Sequence, residues 1–282
     1  MIRKSEHHNR PFDGIPSVAS MGLEEDGHFL LSSVFTRHEI ASLRAEIAGV
    51  YESHPPDGRA GSTSPERAEM FRYQMFNRSA LCQEAIAHPE ILRAVEPLLG
   101  DDCHVIACTA WRNPADRMSA PRGQQWHVDG GPHIVRPEGT RWPDEIPYPI
   151  FVIAAQIYLE DCKLDDGPTA ALPGSHKSGR LPPHERMWDV DLDYEGNVAE
   201  PHVAEAGDVG FVVSDTWHRR MPPTDACTGR FFLQINYGRR EIAPRILPPS
   251  ELNATTEESR ARAKTPRQRQ LIGLHEPCFY DG

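Results

Sequence analysis

The sequence predicts a mainly β protein with flanking helices, built around a double-stranded β-helix, that is, a jelly-roll or cupin-like barrel. Two observations lead to this expectation. Short runs rich in β-branched and aromatic residues recur in the second half of the chain, separated by turns that contain glycine and proline. Patterns typical of amphipathic helices precede them. The 282 residues are enough for one large domain.

The leading helices are predicted from periodicity and from end signals. Apolar residues recur at helical spacing over residues 37–50, and Thr36 with Glu39 fits a capping box at the start of this helix. A second helical stretch covers residues 80–99 and is expected to break near Pro89, because proline cannot continue a helix from the preceding turn.

The strands follow the helices. Each predicted strand is a short apolar or alternating run that ends at a turn-forming residue. The predicted strands are residues 105–112, 124–129, 150–159, 170–172, 201–204, 209–213 and 230–237.

Around this barrel the chain divides into three parts of a single domain, residues 1–282. Residues 1–21 are polar and are expected to be mobile. Residues 22–240 hold the leading helices and the barrel. Residues 241–282 form a C-terminal extension, in which the charged run 257–269 is expected to be a solvated surface.

Composition limits the possible partners. The formal net charge of −11 argues against nucleic acid as a main partner, and we find no run of about 18 apolar residues that would cross a membrane. The first residues lack an apolar signal region, and the six cysteines have no C-x-x-C spacing. These features predict a cytoplasmic protein with reduced thiols. They leave its oligomeric state open.

Three side chains have the chemistry of a metal site. His127 and Asp129 form the only His-x-Asp of the chain, and residues two apart on an extended strand project to the same face. His218 follows the apolar run 209–213. Two histidines and one carboxylate are the ligand set of non-haem Fe(II) oxygenases. Arg230 opens the last predicted strand, where a buried guanidinium requires an anionic partner.

With these residues the chain resembles the phytanoyl-CoA dioxygenase family of Fe(II)/2-oxoglutarate oxygenases. The resemblance covers roughly residues 22–240 and keeps the order of the family's motifs. The matching segments are residues 27–31, the helix that begins at residue 37, and residues 126–129, 158–162, 166–176, 207–208, 217–219 and 229–230.

The resemblance implies roles for individual residues. It implies that His127, Asp129 and His218 bind iron, and that Arg230 binds the distal carboxylate of the co-substrate 2-oxoglutarate, with O₂ as the second co-substrate. Asp129 distinguishes the chain from halogenating relatives, which have a small residue at that position.

Three further positions bear on the co-substrate site. Gln124 and Thr169 are weaker candidates for co-substrate contacts nearer the metal. Arg220 is a departure, because many relatives place a small hydroxyl residue there to help hold the carboxylate.

A long loop, residues 130–149, follows the His-x-Asp motif and is a candidate lid. Its His133, Arg136 and Arg141, together with Arg220, are expected to line a hydrophilic substrate pocket. We therefore expect a dioxygenase that hydroxylates or oxidatively cyclises a polar small molecule in specialised metabolism.

Two other functions remain open from the sequence. A non-catalytic cupin-like protein that binds a metal or ligand would keep the barrel, and an acyl-CoA hydroxylase would keep the metal site. A zinc hydrolase and a serine hydrolase are less favoured, because the chain has neither H-E-x-x-H nor G-x-S-x-G.

Overall fold

Two antiparallel sheets form the core of the protein. A computed structural model describes residues 16–55, 69–116, 118, 120–137, 140, 142–243 and 255–275. The larger sheet has the strand order β1-β7-β4-β9-β3-β2 and the smaller one the order β6-β5-β8. The strands are β1 (His28–Leu31), β2 (Phe71–Arg72), β3 (His104–Asn113), β4 (Val152–Tyr158), β5 (Thr169–Ala171), β6 (Glu200–Pro201), β7 (Val209–Val213), β8 (His218–Arg220) and β9 (Arg230–Gly238).

Helices cover the larger sheet. They are α1 (Val18–Glu25), α2 (Arg37–Ser53), α3 (Met75–Arg78), α4 (Ala80–Ala85), α5 (Pro89–Leu99), α6 (Glu257–Arg262) and α7 (Pro266–Leu271), with short 3-10 helices at Leu164–Asp166, Ser175–Ser178 and His184–Arg186. This mainly β architecture with flanking helices confirms the predicted fold class. None of the described helices is long and apolar enough to cross a membrane.

Alternation along β9 explains why one face of the larger sheet is a core and the other is a site. Phe231, Leu233 and Ile235 belong to the main apolar cluster, which also contains buried residues of α1, α2 and α5. Burial of each such side chain contributes about 1.5–3 kcal/mol. The intervening residues project to the opposite face. Of these, Arg230 and Gln234 line a cavity between the two sheets.

The leading helices follow the prediction closely. Thr36 and Glu39 form the expected capping box, in which the Thr36 amide donates to the Glu39 carboxylate at 2.7 Å. The helical stretch 80–99 is divided as expected, because Pro89 is the first residue of α5 and His88 is its N-cap. Proline is tolerated at that position, since the first helical amide has no partner in any case.

Two predicted strands are much shorter in the structure. Residues 124–129 form no regular strand, and His127 makes only one isolated bridge, to His218. The neighbouring amide of Trp126 instead donates to the carbonyl of Met187, and the next contact with β8, from the amide of Gln124 to the carbonyl of Arg220 at 3.0 Å, does not form a regular ladder. The predicted strand 201–204 is limited to Glu200–Pro201, because Pro201 has no amide hydrogen for a ladder, and Ala204 pairs separately with Cys162.

The ordered core extends beyond residues 22–240 at both ends. Val18–Glu25 form α1, in which Ala19 and Ser20 are buried, whereas residues 1–15 lie outside the described part. The run 257–269 is not simply a solvated surface. Its Ser259 is buried and donates to Asn77 at 2.9 Å, while Arg267 pairs with Glu96 at 2.8 Å.

Gly123 packs closely against the backbone of β8, and this contact can be tested by substitution. Its φ is +67°, and a Cβ atom there would lie 2.1 Å from the carbonyl oxygen of Arg220. We expect Gly123→Ala to lower the free energy of unfolding by roughly 1–3 kcal/mol in urea titrations. Gly49→Ala is the matched control, since nothing lies near its Cβ in α2, and should raise stability by about 0.5–1 kcal/mol. Equal stability of Gly123→Ala and the wild type would contradict this packing.

Candidate metal and co-substrate site

His127 and His218 are held side by side by their own backbones. The amide of each donates to the carbonyl oxygen of the other at 3.0 Å. Residues that face each other in an antiparallel pair place their side chains on the same side. The two imidazole centroids accordingly lie 4.3 Å apart.

Asp129 completes the group. Its amide donates to the carbonyl of Ser214 at 2.9 Å, which holds this residue against the turn between β7 and β8. One oxygen of its carboxylate lies 3.9 Å from Nε2 of His218. The possible ligand atoms of His127, Asp129 and His218 all lie within 4.8 Å of one another. The structure therefore brings the three sequence-predicted residues to one point.

Both imidazoles are oriented by a carbonyl group two residues earlier in the chain. Nδ1 of His127 lies 2.8 Å from the oxygen of Gln125, and Nδ1 of His218 lies 2.9 Å from the oxygen of Thr216. A carbonyl only accepts, so Nδ1 of each ring carries a hydrogen, and in the neutral tautomer this leaves the lone pair on Nε2. Metal-binding histidines are commonly fixed in this way.

The electrostatic environment also favours a bound cation. Burial, and next the neighbouring His218, lower the pKa of His127 well below its ordinary value. The imidazole is therefore neutral at pH 7, as a metal ligand must be. Two imidazole nitrogens and one carboxylate that meet from one side fit a divalent transition metal with open positions on its other side.

A cavity of about 70 Å³ adjoins the three residues. Gln124, Thr169 and Arg230, which the sequence identified as co-substrate candidates, all line it. Sequence reasoning missed other lining residues, among them Gln156 on β4 and Gln234 on β9, which pair directly across the sheet. The available signal was an amide side chain within each mostly apolar strand.

Arg230 is buried and forms no ion pair within 4 Å among the described residues. It is 5% exposed, and its Nε and Nη2 donate to the Oδ1 of Asn113 at 3.2 and 3.0 Å. An amide oxygen offers a hydrogen bond but does not neutralise the charge. Asn113, at the end of β3, is thus a positioning residue that the sequence alone did not reveal.

The structure describes three of the four residues predicted to line the substrate pocket, and none of the three lines the cavity next to the metal residues. His133 pairs with Asp215, which also accepts a hydrogen bond from Tyr148 at 3.2 Å, so this loop is attached to the β7–β8 turn. Arg136 stacks over Trp142.

Neither His133 nor Arg136 lines the cavity next to the metal residues. Arg220 is buried, and burial, followed by the charge of Arg230, lowers its pKa to about 9. Arg141 lies outside the described residues.

Known proteins resemble the chain in both sequence and structure. The family model described as phytanoyl-CoA dioxygenase (PhyH) matches residues 23–220, which is more than half of the chain. The chain belongs to the phytanoyl-CoA dioxygenase family. The resemblance seen in the sequence motifs is thereby confirmed, and so is the prediction of a dioxygenase-type oxidoreductase.

Three solved structures share its fold. The epimerase SnoN, in complex with Fe³⁺, α-ketoglutarate and nogalamycin RO, is 18% identical, with a TM-score of 0.61 over 83% of this chain and 87% of that chain. The carbocyclase SnoK from nogalamycin biosynthesis is 19% identical, with a TM-score of 0.57 over 84% and 92%. HygX from Streptomyces hygroscopicus, with nickel, 2-oxoglutarate and hygromycin B, is 16% identical, with a TM-score of 0.59 over 86% and 94%.

The metal assignment can be tested by removing the carboxylate. Asp129→Ala leaves only the two imidazoles and no negative ligand, so we expect Mn²⁺ to bind at least 10–100-fold more weakly in calorimetry, the range seen when even an outer partner of a metal ligand is lost. Asp144→Ala removes an exposed carboxylate from the following loop and should leave Mn²⁺ binding unchanged. Unchanged binding in Asp129→Ala would show that Asp129 is not a ligand.

Proposed function

We propose that the protein is an Fe(II)- and 2-oxoglutarate-dependent dioxygenase that hydroxylates or oxidatively cyclises a polar small molecule in specialised metabolism. One observation carries this proposal. The same cavity is lined by the three potential metal ligands and by the buried Arg230, which forms no ion pair within 4 Å among the described residues. A co-substrate that binds the metal at one end and carries a carboxylate at the other end would contact both the metal and Arg230.

In this proposal His127, Asp129 and His218 hold the iron, and Arg230 holds the distal carboxylate of 2-oxoglutarate. Bound iron supplies the oxidising chemistry, in which 2-oxoglutarate and O₂ are consumed to give succinate and CO₂. Asn113 fixes the guanidinium of Arg230 through two donors, so the carboxylate meets a planar group of set orientation. Gln124 and Thr169 line the intervening space and are proposed to contact the co-substrate.

The residues that line the cavity, rather than those of loop 130–149, support a polar substrate. Gln156 and Gln234 lie opposite each other on β4 and β9, and each amide can both donate and accept hydrogen bonds. Such a lining suits a substrate rich in hydroxyl or amide groups, whereas a long acyl chain requires an apolar groove. Relatives that share the fold carry natural products, nogalamycin RO in SnoN and hygromycin B in HygX. These likenesses support specialised metabolism as the setting.

We also propose that the enzyme works in the cytoplasm. The five described cysteines, Cys82, Cys103, Cys108, Cys162 and Cys227, form no disulfide. Four of them are buried, and unpaired thiols are typical of a reducing compartment.

Arg230 separates this proposal from a non-catalytic binding protein. Replacement of Arg230 by Leu removes a charge-assisted bidentate contact, so we expect the Kd for 2-oxoglutarate to rise by the equivalent of about 2–5 kcal/mol in calorimetry of the Mn²⁺-loaded protein. Arg37→Leu, which removes an exposed charge at the start of α2, should bind normally. Normal binding by Arg230→Leu would assign Arg230 a structural role.

The substrate class can be tested by a metabolite screen. Candidate metabolites are incubated with Fe(II)-loaded protein, 2-oxoglutarate and O₂, and succinate and product masses are recorded. We expect polar glycosides or amino-acid derivatives to increase succinate formation. A gain of one oxygen would identify hydroxylation, and a loss of two hydrogens would identify cyclisation or desaturation. Turnover of fatty acyl-CoA thioesters alone would favour the acyl-CoA hydroxylase instead.

A further inference from the structure

The turn between β7 and β8 contacts the metal residues from both ends. The carbonyl oxygen of Ser214 accepts a hydrogen bond from the amide of Asp129 at 2.9 Å, and the carbonyl oxygen of Thr216 lies 2.9 Å from Nδ1 of His218. Asp215 lies between these two carbonyl groups in the chain. The backbone of this turn therefore orients two of the three potential metal ligands.

The side chain of Asp215 binds the loop that follows the His-x-Asp motif. One of its carboxylate oxygens pairs with Nδ1 of His133, and the other accepts a hydrogen bond from the hydroxyl of Tyr148 at 3.2 Å. His133 lies four residues after Asp129, and Tyr148 lies four residues before Val152, the first residue of β4. One carboxylate thus joins both ends of this loop to the turn.

These contacts stabilise a carboxylate that is largely removed from water. Asp215 and Tyr148 are each 6% exposed. Burial raises the pKa of Asp215, and the hydrogen bond and charge of His133, followed by the hydroxyl of Tyr148, oppose this change. A buried carboxylate that loses such partners is costly. Attachment of the loop therefore stabilises the conformation of the turn.

Asp208, at the other end of β7, is a comparable carboxylate without this link to the metal residues. It is also 6% exposed, and its two oxygens accept hydrogen bonds from the amides of Ser33 and Glu205, each at 2.8 Å. None of these three residues lines the cavity next to the metal residues. Asp208 and Asp215 thus match in burial and in the number of their hydrogen bonds, but they differ in what the adjacent backbone holds.

We infer that Asp215 is a positioning residue of the metal site, which fixes the turn so that the carbonyl groups on either side of it orient Asp129 and His218. This inference rests on the proposed function, because it requires that these two residues bind a metal. Groups that orient metal ligands without touching the metal typically change its affinity about 10–100-fold when they are removed. His133 and Tyr148 act on the metal through Asp215 in the same way.

Hydrogen bonding, rather than negative charge, is the property that the site requires at residue 215. Asp215→Asn keeps an oxygen that can accept from His133, and its new amide nitrogen can donate to the hydroxyl oxygen of Tyr148. Asp215→Ala keeps neither group. The first variant should therefore retain most of the metal affinity, and the second should lose it.

The test compares metal affinity with stability in matched variants. Calorimetry gives the Kd of Mn²⁺ for the wild type, Asp215→Ala, Asp215→Asn and the control Asp208→Ala, and thermal unfolding gives their melting temperatures without metal. We expect Asp215→Ala to bind Mn²⁺ about 10–100-fold more weakly, and Asp215→Asn to lie closer to the wild type. Asp208→Ala should bind like the wild type, although it also melts at a lower temperature because two buried amides lose their acceptors.

Replacement of the loop partner gives a second measurement that does not depend on the folding of Asp215→Ala. The side chain of His133 is 28% exposed, so its removal disturbs less packing. We expect His133→Ala to bind Mn²⁺ about tenfold more weakly. His133→Asn places an amide nitrogen near the position of Nδ1 and should restore most of the affinity.

Each other outcome has a definite meaning. Wild-type affinity of Asp215→Ala, or of His133→Ala where Asp215→Ala does not fold, would overturn the inference and leave the proposed function intact. An equal loss in Asp208→Ala would also overturn it, because metal affinity would then follow general stability. Equal losses in Asp215→Asn and Asp215→Ala would overturn it in favour of an effect of charge. Failure of the wild type itself to bind Mn²⁺ would instead reject the proposed function.

Discussion

The site depends on the reciprocal backbone pairing of His127 with His218. These two hydrogen bonds, each of 3.0 Å, join a segment with no regular strand structure to β8 of the smaller sheet. They fix both imidazoles on one side, and the carbonyls of Gln125 and Thr216 then set which nitrogen of each ring is free. Because these hydrogen bonds are made by the main chain, the backbone determines where the two imidazoles lie. Asp129 is positioned in the same way, by its own amide.

The second constraint is the burial of positive charge inside the barrel. One face of the larger sheet is apolar and packs on the helices, which gives the fold its stability. The other face has no need to be apolar where a ligand fills the space, and it carries Gln156, Gln234 and Arg230. The apolar face of these strands thus stabilises the fold, and the opposite face forms the site. Burial of a guanidinium without an ion pair lowers the stability of the protein when no ligand is bound.

Much of this could be predicted from local patterns. The capping box at Thr36 and the division of the helices at Pro89 depend on neighbouring residues, and the structure confirms both. What sequence reasoning could not give was tertiary pairing. Residues 124–129 look like a strand, but their amides reach different partners, and Asn113 meets Arg230 only because β3 and β9 are adjacent. The same limit applies to His133, whose partner Asp215 is far away in sequence.

The central claim is that three side chains hold one metal while a carboxylate of the co-substrate lies at the buried Arg230. A crystal structure of the protein with Mn²⁺ and 2-oxoglutarate under anaerobic conditions tests it most directly, with the metal located by its anomalous scattering. The account predicts Mn²⁺ at about 2.0–2.2 Å from the Nε2 atoms of His127 and His218 and from a carboxylate oxygen of Asp129. It also predicts the distal carboxylate within hydrogen-bonding distance of Arg230. A metal bound elsewhere, or a co-substrate whose distal carboxylate lies away from that guanidinium, would contradict it.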